Sequence, residues 1–140
     1  MSAAGPSLPA VDRDSRPWWE ALARHELVLQ RCDDCDTWRW PARTLCNRCG
    51  SLEWRWDPAS GRGTIASWIV THHPFSAAWP TPYVVVTVRL DEQDDVLIPG
   101  SYAGANTDDL EIGAGVVAEF DDLDVPLGLE PVTLLRWRHA

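Results

Sequence analysis

The fold of this chain is decided by a stretch that holds all four of its cysteines. Residues 32–49 read CDDCDTWRWPARTLCNRC, so the thiols follow the spacing C-x2-C-x10-C-x2-C. Two residues between thiols let both sulfurs of a tight turn reach one metal ion, and two such turns supply a tetrahedral site. The spacing therefore indicates a zinc ribbon with a structural, fully ligated ion, whose ligands are Cys32, Cys35, Cys46 and Cys49.

Disulfide bonds and an iron site are the alternatives to zinc. The start of the chain has no apolar stretch of signal-peptide length, so we expect a cytoplasmic protein, in which disulfides are rare. The ten-residue insert is short for a rubredoxin, which favours zinc over iron. Gly50 eases the turn after the second thiol pair, and Asp36 holds the same place after the first, because Asp tolerates a left-handed conformation.

Upstream of the cysteines, the sequence changes from an irregular arm to a short helix. Residues 1–15 are small, polar and Pro-containing, and we expect a mobile arm. Ser15 is placed to cap a helix whose apolar stripe includes Trp18 and Leu22. Alternating apolar residues then predict a strand that runs into the first cysteine. We assign residues 16–57 to the N-terminal helix and the zinc ribbon.

Downstream of the ribbon, residues 58–140 carry a second unit made of strands. Its segments are rich in β-branched and aromatic residues and are separated by Pro-rich or acidic turns. The predicted strands are 64–71, 83–90, 96–102, 116–121 and 132–137. Five such strands indicate a small closed or partly open antiparallel barrel, so the fold class is mainly β.

Charge and hydropathy exclude several classes of partner. The 140 residues carry a formal net charge of −9, and all 12 basic residues are Arg. Residues 63–140 hold three Arg against twelve acids, so the barrel would repel phosphates, and we expect no nucleic-acid partner. The chain has no run of eighteen apolar residues, and we expect no membrane partner.

The ribbon is unusually rich in tryptophan. Trp38 and Trp40 alternate with Arg39, and Arg43 follows closely. One interpretation is a planar ligand stacked on indole, with these arginines on its phosphates. The other is that the indoles cover a ribbon too small to have its own core, which we favour for any single tryptophan.

The order of these parts resembles a known family. The stretches that carry the resemblance are PWWEAL at 17–22, LVLQRCDDC at 27–35, RWPAR at 39–43, LCNRCG at 45–50 and SGRGTIASWIVTHHP at 60–74. They resemble the acyl-CoA-associated proteins that join a rubredoxin-like zinc ribbon to a five-stranded OB-fold barrel, the domain of unknown function thirty-five. The likeness covers about residues 16–138.

This resemblance implies an accessory subunit in lipid metabolism, including steroid degradation. Members accompany thiolase-superfamily enzymes or hot-dog-fold enoyl-CoA hydratases. We therefore expect a hetero-oligomer in which this chain has no catalytic residue and helps a thiolase-like aldolase or acyltransferase to form its acyl-CoA site. A hydratase partner is the first alternative. A module that binds single-stranded nucleic acid is the second, and the charge opposes it.

The resemblance also indicates contact residues. Trp38, Arg39, Trp40 and Arg43 match the family's aromatic-Pro-Pro-Arg stretch, a wall for CoA or for the partner, although Ala42 stands where a second proline is usual. Apolar edges of the barrel are expected to be buried against the enzyme, among them Phe75 and Trp79. Any CoA phosphates are expected on the Arg-rich ribbon side or on the partner.

Overall fold

The computed structural model describes residues 7–104 and 107–140. The first six residues of the predicted arm therefore lie outside the described residues. No helix within those two ranges is long and apolar enough to cross a membrane.

The N-terminal helix α1 spans Arg16–Ala23 and buries Trp18, Ala21 and Leu22. Ser15 precedes it as predicted, but its hydroxyl makes no capping hydrogen bond to the helix. That hydroxyl accepts a bond from the Asp12 amide at 3.2 Å, while the Asp12 carboxylate accepts one from the Ser15 amide at 2.7 Å. Ser15 thus holds the N-cap position as predicted, but its side chain does not cap the helix, because it is engaged in a turn that begins three residues earlier, at Asp12.

The ribbon is a three-stranded antiparallel sheet in the order β2-β1-β3. Its strands are β1 (Val28–Cys32), β2 (Trp38–Arg39) and β3 (Trp54–Pro58). The central strand ends on the first cysteine, so the sheet delivers that thiol directly to the site.

The second unit is a closed five-stranded barrel in the order β4-β5-β6-β8-β7. Its strands are β4 (Arg62–Thr71), β5 (Tyr83–Leu90), β6 (Leu97–Tyr102), β7 (Gly115–Leu123) and β8 (Val132–His139). The barrel is not wholly antiparallel, since β6 and β8 pair in parallel at Ser101 and Arg136. With this one correction, the structure confirms a short helix, a zinc ribbon and an OB-fold barrel.

The two units share a continuous apolar core. Alternate residues of β5 point inward, and Val86 and Val88 are fully buried. Trp18 and Leu22 of α1 join the same cluster, so the helix covers part of the barrel. The Gln93 side chain, in the turn after β5, bonds both the amide of Trp38 at 2.9 Å and its carbonyl at 2.8 Å. The ribbon is thus held against the barrel by apolar packing and by the Gln93 amide. That amide pairs with the Trp38 backbone as the backbone of a neighbouring strand would.

Candidate functional site

The structure brings the four cysteine sulfurs together. All four Sγ atoms lie within 4.8 Å of one another. The Sγ atoms of Cys32 and Cys49 are 3.6 Å apart, as are those of Cys35 and Cys46. A tetrahedral zinc ion with bonds of about 2.3 Å requires sulfurs about 3.8 Å apart. The donor set and its spacing therefore fit a structural zinc ion.

The two cysteine turns have the same backbone geometry. The amide of Asp36 donates to the carbonyl of Cys32 at 3.0 Å, and the amide of Gly50 donates to the carbonyl of Cys46 at 3.0 Å. Asp36 has a φ of 61° and Gly50 a φ of 78°. The prediction that Asp36 adopts the left-handed conformation in place of glycine is confirmed.

Hydrogen bonds prepare two of the thiols for ionisation. Backbone amides of Cys49 and Arg48 donate to Cys46 and lower the pKa of its thiol to about 6. The hydroxyl and the amide of Thr37 donate to Cys35 and lower the pKa of that thiol as well. Amides aimed at sulfur are what thiolate ligands of a metal require.

Cys49 shows why a cation is needed to complete this site. The Ser51 amide acts to lower the pKa of Cys49, but burial and the other three thiols outweigh it and raise that pKa to about 12. Four adjacent thiolates repel one another unless a positive ion lies between them. Zinc supplies that charge, and four sulfur ligands complete its coordination, which leaves no open position for a substrate.

One ribbon arginine, Arg55, is bound by three carboxylates. Arg55 reaches Asp33 at 2.8 Å, Asp36 at 3.1 Å and Asp57 at 3.3 Å. Hydrogen bonds to Asp33 and Asp36 raise the pKa of the Arg55 guanidinium. This arginine therefore ties the first cysteine turn to β3. Sequence reasoning missed the network, because Asp33 and Asp36 of the cysteine turn lie about twenty residues before Arg55 in the chain.

Arg39 is placed differently from the sequence-based expectation. Only 4% of it is exposed, and its Nε donates to Oε1 of Gln30 at 2.8 Å. Its Nη2 donates to the carbonyl of Arg43 at 3.0 Å. The guanidinium is thus engaged inside the ribbon, and its Nη1 has no hydrogen-bond partner among the described residues. A role of Arg39 in ligand or partner contact stays a prediction.

The other predicted ribbon contacts are partly accessible. Trp40 packs against Trp18 with ring centroids 5.7 Å apart, and Arg31 lies over the Trp38 ring at 4.8 Å. Both indoles are half-buried, which agrees with their interpretation as a cover for the ribbon. The Arg43 side chain is exposed. A role of these three residues in ligand or partner contact stays a prediction.

Phe75 and Trp79 lie in the loop between β4 and β5. Phe75 is 76% exposed and contacts His73 edge-on at 4.6 Å. Trp79 is half-buried and lines a cavity of about 450 Å³ at the barrel mouth, together with Tyr102. Ile69 of β4 is 62% exposed. This end of the barrel thus presents apolar side chains to solvent.

A histidine, a carboxylate and a hydroxyl also meet, without forming a catalytic set. Nε2 of His25 lies 3.0 Å from both carboxylate oxygens of Asp122, and the Thr133 hydroxyl donates to Asp122 at 2.6 Å. The hydroxyl bonds the carboxylate and not the imidazole, and Thr133 is only 3% exposed, so His25 is not placed to activate it toward a substrate. The His25 ring stacks on Phe120 at 5.2 Å, which holds the end of α1 against β7. Sequence reasoning missed this cluster, whose members are far apart in the chain.

Comparison with known proteins agrees with this architecture. The family model described as the rubredoxin-like zinc ribbon domain of ChsH2 matches residues 19–55, and the model of the C-terminal OB-fold domain of ChsH2 matches residues 56–121. A DUF35 domain-containing scaffold protein of Methanocaldococcus jannaschii is 30% identical over 107 residues, which are 75% of this chain and 74% of that protein. The chain belongs to the DUF35 family.

Two solved structures of DUF35 proteins are similar to this chain. The solved structure titled Ltp2-ChsH2(DUF35) aldolase matches with a TM-score of 0.81 and 37% identity, over 94% of this chain and 98% of that one. A DUF35 protein of unknown function from Sulfolobus solfataricus, at a TM-score of 0.61 and 14% identity, shares the fold over 93% of this chain and 87% of its own.

Two curated relatives carry hydratase names. A probable enoyl-CoA hydratase alpha subunit of Thermomonospora curvata is 40% identical over 86% of this chain. The 3-oxo-4,17-pregnadiene-20-carboxyl-CoA hydratase alpha subunit of Mycobacterium tuberculosis is 32% identical over 81% of it. The chain spans 37% and 36% of the length of these two proteins, respectively.

Proposed function

We propose that this DUF35 chain is the non-catalytic scaffold subunit of a thiolase-superfamily enzyme of the aldolase type and helps to form its acyl-CoA site. The observation that carries the proposal is the match to the Ltp2-ChsH2(DUF35) aldolase, which extends over 98% of that chain at 37% identity. The scaffold name of the Methanocaldococcus relative supports the non-catalytic part.

The chemistry of the chain supports a scaffold. Four thiols complete the coordination of zinc, and the Thr133 hydroxyl is bound to Asp122 rather than to His25. The partner therefore supplies the nucleophile and the base. This chain contributes a binding surface. Its exposed apolar side chains Phe75 and Ile69 are those that an enzyme surface would cover.

A hydratase partner is the second candidate, because two relatives are named as hydratase alpha subunits. Those proteins are nearly three times as long as the part that this chain matches. Their names therefore describe a larger molecule, and the aldolase match, which covers nearly all of both chains, carries more weight. The twelve acids against three arginines in residues 63–140 oppose nucleic-acid binding.

Copurification tests the partner directly. The chain is expressed with an affinity tag beside its neighbouring genes, and its companion is identified by mass spectrometry. We expect a stoichiometric thiolase-like protein, and the complex to cleave an acyl-CoA by retro-aldol chemistry. A hydratase-like companion, or turnover of acyl-CoA by the isolated chain, would contradict the proposal.

Two variants locate the contact. Phe75→Ser removes an apolar side chain from the loop after β4, and we expect the yield of copurified partner to fall at least tenfold, the effect of a central apolar anchor. Ile112→Ser is the matched control, because Ile112 is 61% exposed and lies before β7. If the two variants bind the partner equally, the apolar loop is not the docking site.

A further inference from the structure

Most arginines of this chain are neutralised by a carboxylate, and a few are not. Seven of the twelve pair with Asp or Glu within the described ranges. The arginines for which those ranges show no carboxylate partner are Arg39, Arg43, Arg62, Arg89 and Arg138. An unpaired guanidinium is unexpected on a protein of net charge −9, where acids are in excess.

Two of the unpaired arginines lie side by side on the barrel. Arg62 of β4 is the register partner of Val117 in β7, and Val117 is in turn the partner of Arg138 in β8. Opposed residues of an antiparallel pair point to the same face with Cβ atoms about 5 Å apart. Arg62 and Arg138 therefore flank Val117 on one face, at a spacing that lets both guanidinium groups meet above it.

This row of three residues borders a cleft. The cavity has a volume of about 540 Å³ and lies between the barrel, the turn that leads out of the ribbon and the segment after α1. Arg62, Val117 and Arg138 all line it. A volume of this size is typical of small-molecule sites, whereas docking to a flat protein surface needs no such concavity.

Two carboxylates beside the cleft are paired with arginines outside it, and Glu92 accepts a hydrogen bond from the Ser60 amide. The Asp91 amide donates to the Arg62 carbonyl at 3.1 Å, but the described residues show no ion pair between the two side chains. Glu119, on the same face of β7, is bound by Arg136 at 2.8 Å. Glu26 lines the cleft and is paired with Arg24 at 3.4 Å. Among the described residues, the hydrogen bond found for the Arg138 side chain is that of Nη1 to the carbonyl of His139 at 3.4 Å. The described chain thus leaves two cations at the cleft without an internal anion.

We propose that Arg62 and Arg138 form an anion site of this chain that binds a phosphate group above Val117. Guanidinium forks match phosphate oxygens in a bidentate way, and two of them suit a diphosphate or a phosphate monoester. The inference deepens the proposed function and rests on it only for the source of the phosphate, which would be the nucleotide end of an acyl-CoA. The sequence-based expectation placed such phosphates on the ribbon or on the partner.

Calorimetric titration of the zinc-loaded full chain at low salt tests the site. The probes are inorganic pyrophosphate and free CoA, each added to the wild type and to Arg62→Gln and Arg138→Gln. Each substitution removes one charge-assisted contact, for which we expect about tenfold weaker binding. Arg89→Gln is the matched control, because Arg89 is also exposed and unpaired with a carboxylate but lies on β5, and we expect less than twofold change.

The outcomes separate the sources of the phosphate. CoA binding that is tighter than pyrophosphate binding, and weakened by both variants, supports the nucleotide of an acyl-CoA. Equal binding of both probes supports a site for phosphate compounds in general. The proposal fails if neither probe binds, or if Arg89→Gln weakens binding as much as the cleft variants do. No partner enzyme is present, so failure here leaves the copurification result untouched.

Discussion

The ribbon and the barrel of this DUF35 protein are stabilised by different forces. The barrel has a conventional apolar interior, in which Val86, Ile98 and Trp137 have no exposed surface. Burial of such side chains contributes roughly 1.5–3 kcal/mol each, and the contribution depends little on pH or on ions. The barrel therefore has the means to remain folded when conditions around the ribbon change.

The ribbon buries polar groups instead. Beside Leu27 and Leu29, the buried residues of segment 27–58 are Cys32, Cys46, Gln30, Thr37 and Arg39. Each of these needs a specific partner, because a buried polar group without one is destabilising. The comparison teaches that the stability of the ribbon depends on specific hydrogen bonds and on a metal ion. The stability of the barrel depends on how much apolar side-chain surface it buries.

Zinc removal is the strongest way to separate the two units. Apparent binding energies of structural zinc are on the order of 10–16 kcal/mol in isolated fingers, so a chelator, or Cys46→Ser, should unfold the ribbon. We expect amide protection to disappear from β1–β3 and to persist in β5, as measured by hydrogen exchange and NMR. Loss of zinc should also lower the yield of copurified partner to the extent that Trp38, Trp40 and Arg43 of the ribbon contact it.

Re-addition of zinc is the control for chelation and should restore protection in the wild type but not in Cys46→Ser. If β5 loses protection together with β1–β3, the two units unfold as one. The contrast between them would then be wrong.

Gln30 tests the claim that exact pairing holds the ribbon. Its Oε1 accepts bonds from Nε of Arg39 and from the amide of Arg43, both at 2.8 Å. Gln30→Leu leaves both donors unpaired, and we expect a loss of about 1–3 kcal/mol in the free energy of unfolding, measured with urea. Gln30→Glu keeps an acceptor oxygen at this position and should lose much less. Equal losses in the two variants would show that side-chain volume, not pairing, matters at this position.

The parts that could be predicted from sequence follow from local rules. The cysteine spacing fixes the ribbon because two residues between thiols admit few geometries, and Asp36 was identified because few residues adopt a positive φ. The barrel strands were found because β-branched runs alternate with turns, and the predicted boundaries differ from the observed ones by at most two residues.

The parts that could not be predicted depend on distant partners. Arg39 reads as an exposed cation between tryptophans, but Gln30 and the carbonyl of Arg43 draw it inside. The row of Arg62 and Arg138 exists only because β7 closes the barrel between β4 and β8. Local sequence patterns carry no information about the register of β7 with β4 and β8. The side chains that lie together on the barrel surface could therefore be identified only from the structure.

The smallest effect that we predict is the acid sensitivity caused by a single carboxylate of the barrel, Asp122. It tests whether the stability of the barrel depends only weakly on pH. Hydrogen bonds from Thr133 and from His25 lower the pKa of Asp122 below its ordinary value of 3.8. A carboxylate whose pKa is lower in the folded state stabilises that state above the unfolded pKa, and this contribution is lost as the pH falls through the folded pKa. The wild type should therefore be more stable than Asp122→Asn at about pH 6 and equal to it near about pH 2.

The effect should be small, since 63% of the Asp122 side chain is exposed and solvent screens its interactions. The measurement is the urea midpoint of the NMR signals of β7 at both pH values, with Asp124→Asn as the control for loss of a nearby charge. The zinc ribbon loses its thiolates in acid, so signals of β1–β3 should disappear first, in both variants alike. If Asp122→Asn differs from the wild type equally at both pH values, the carboxylate acts through its shape and not its charge, and the His25 contact is not electrostatic.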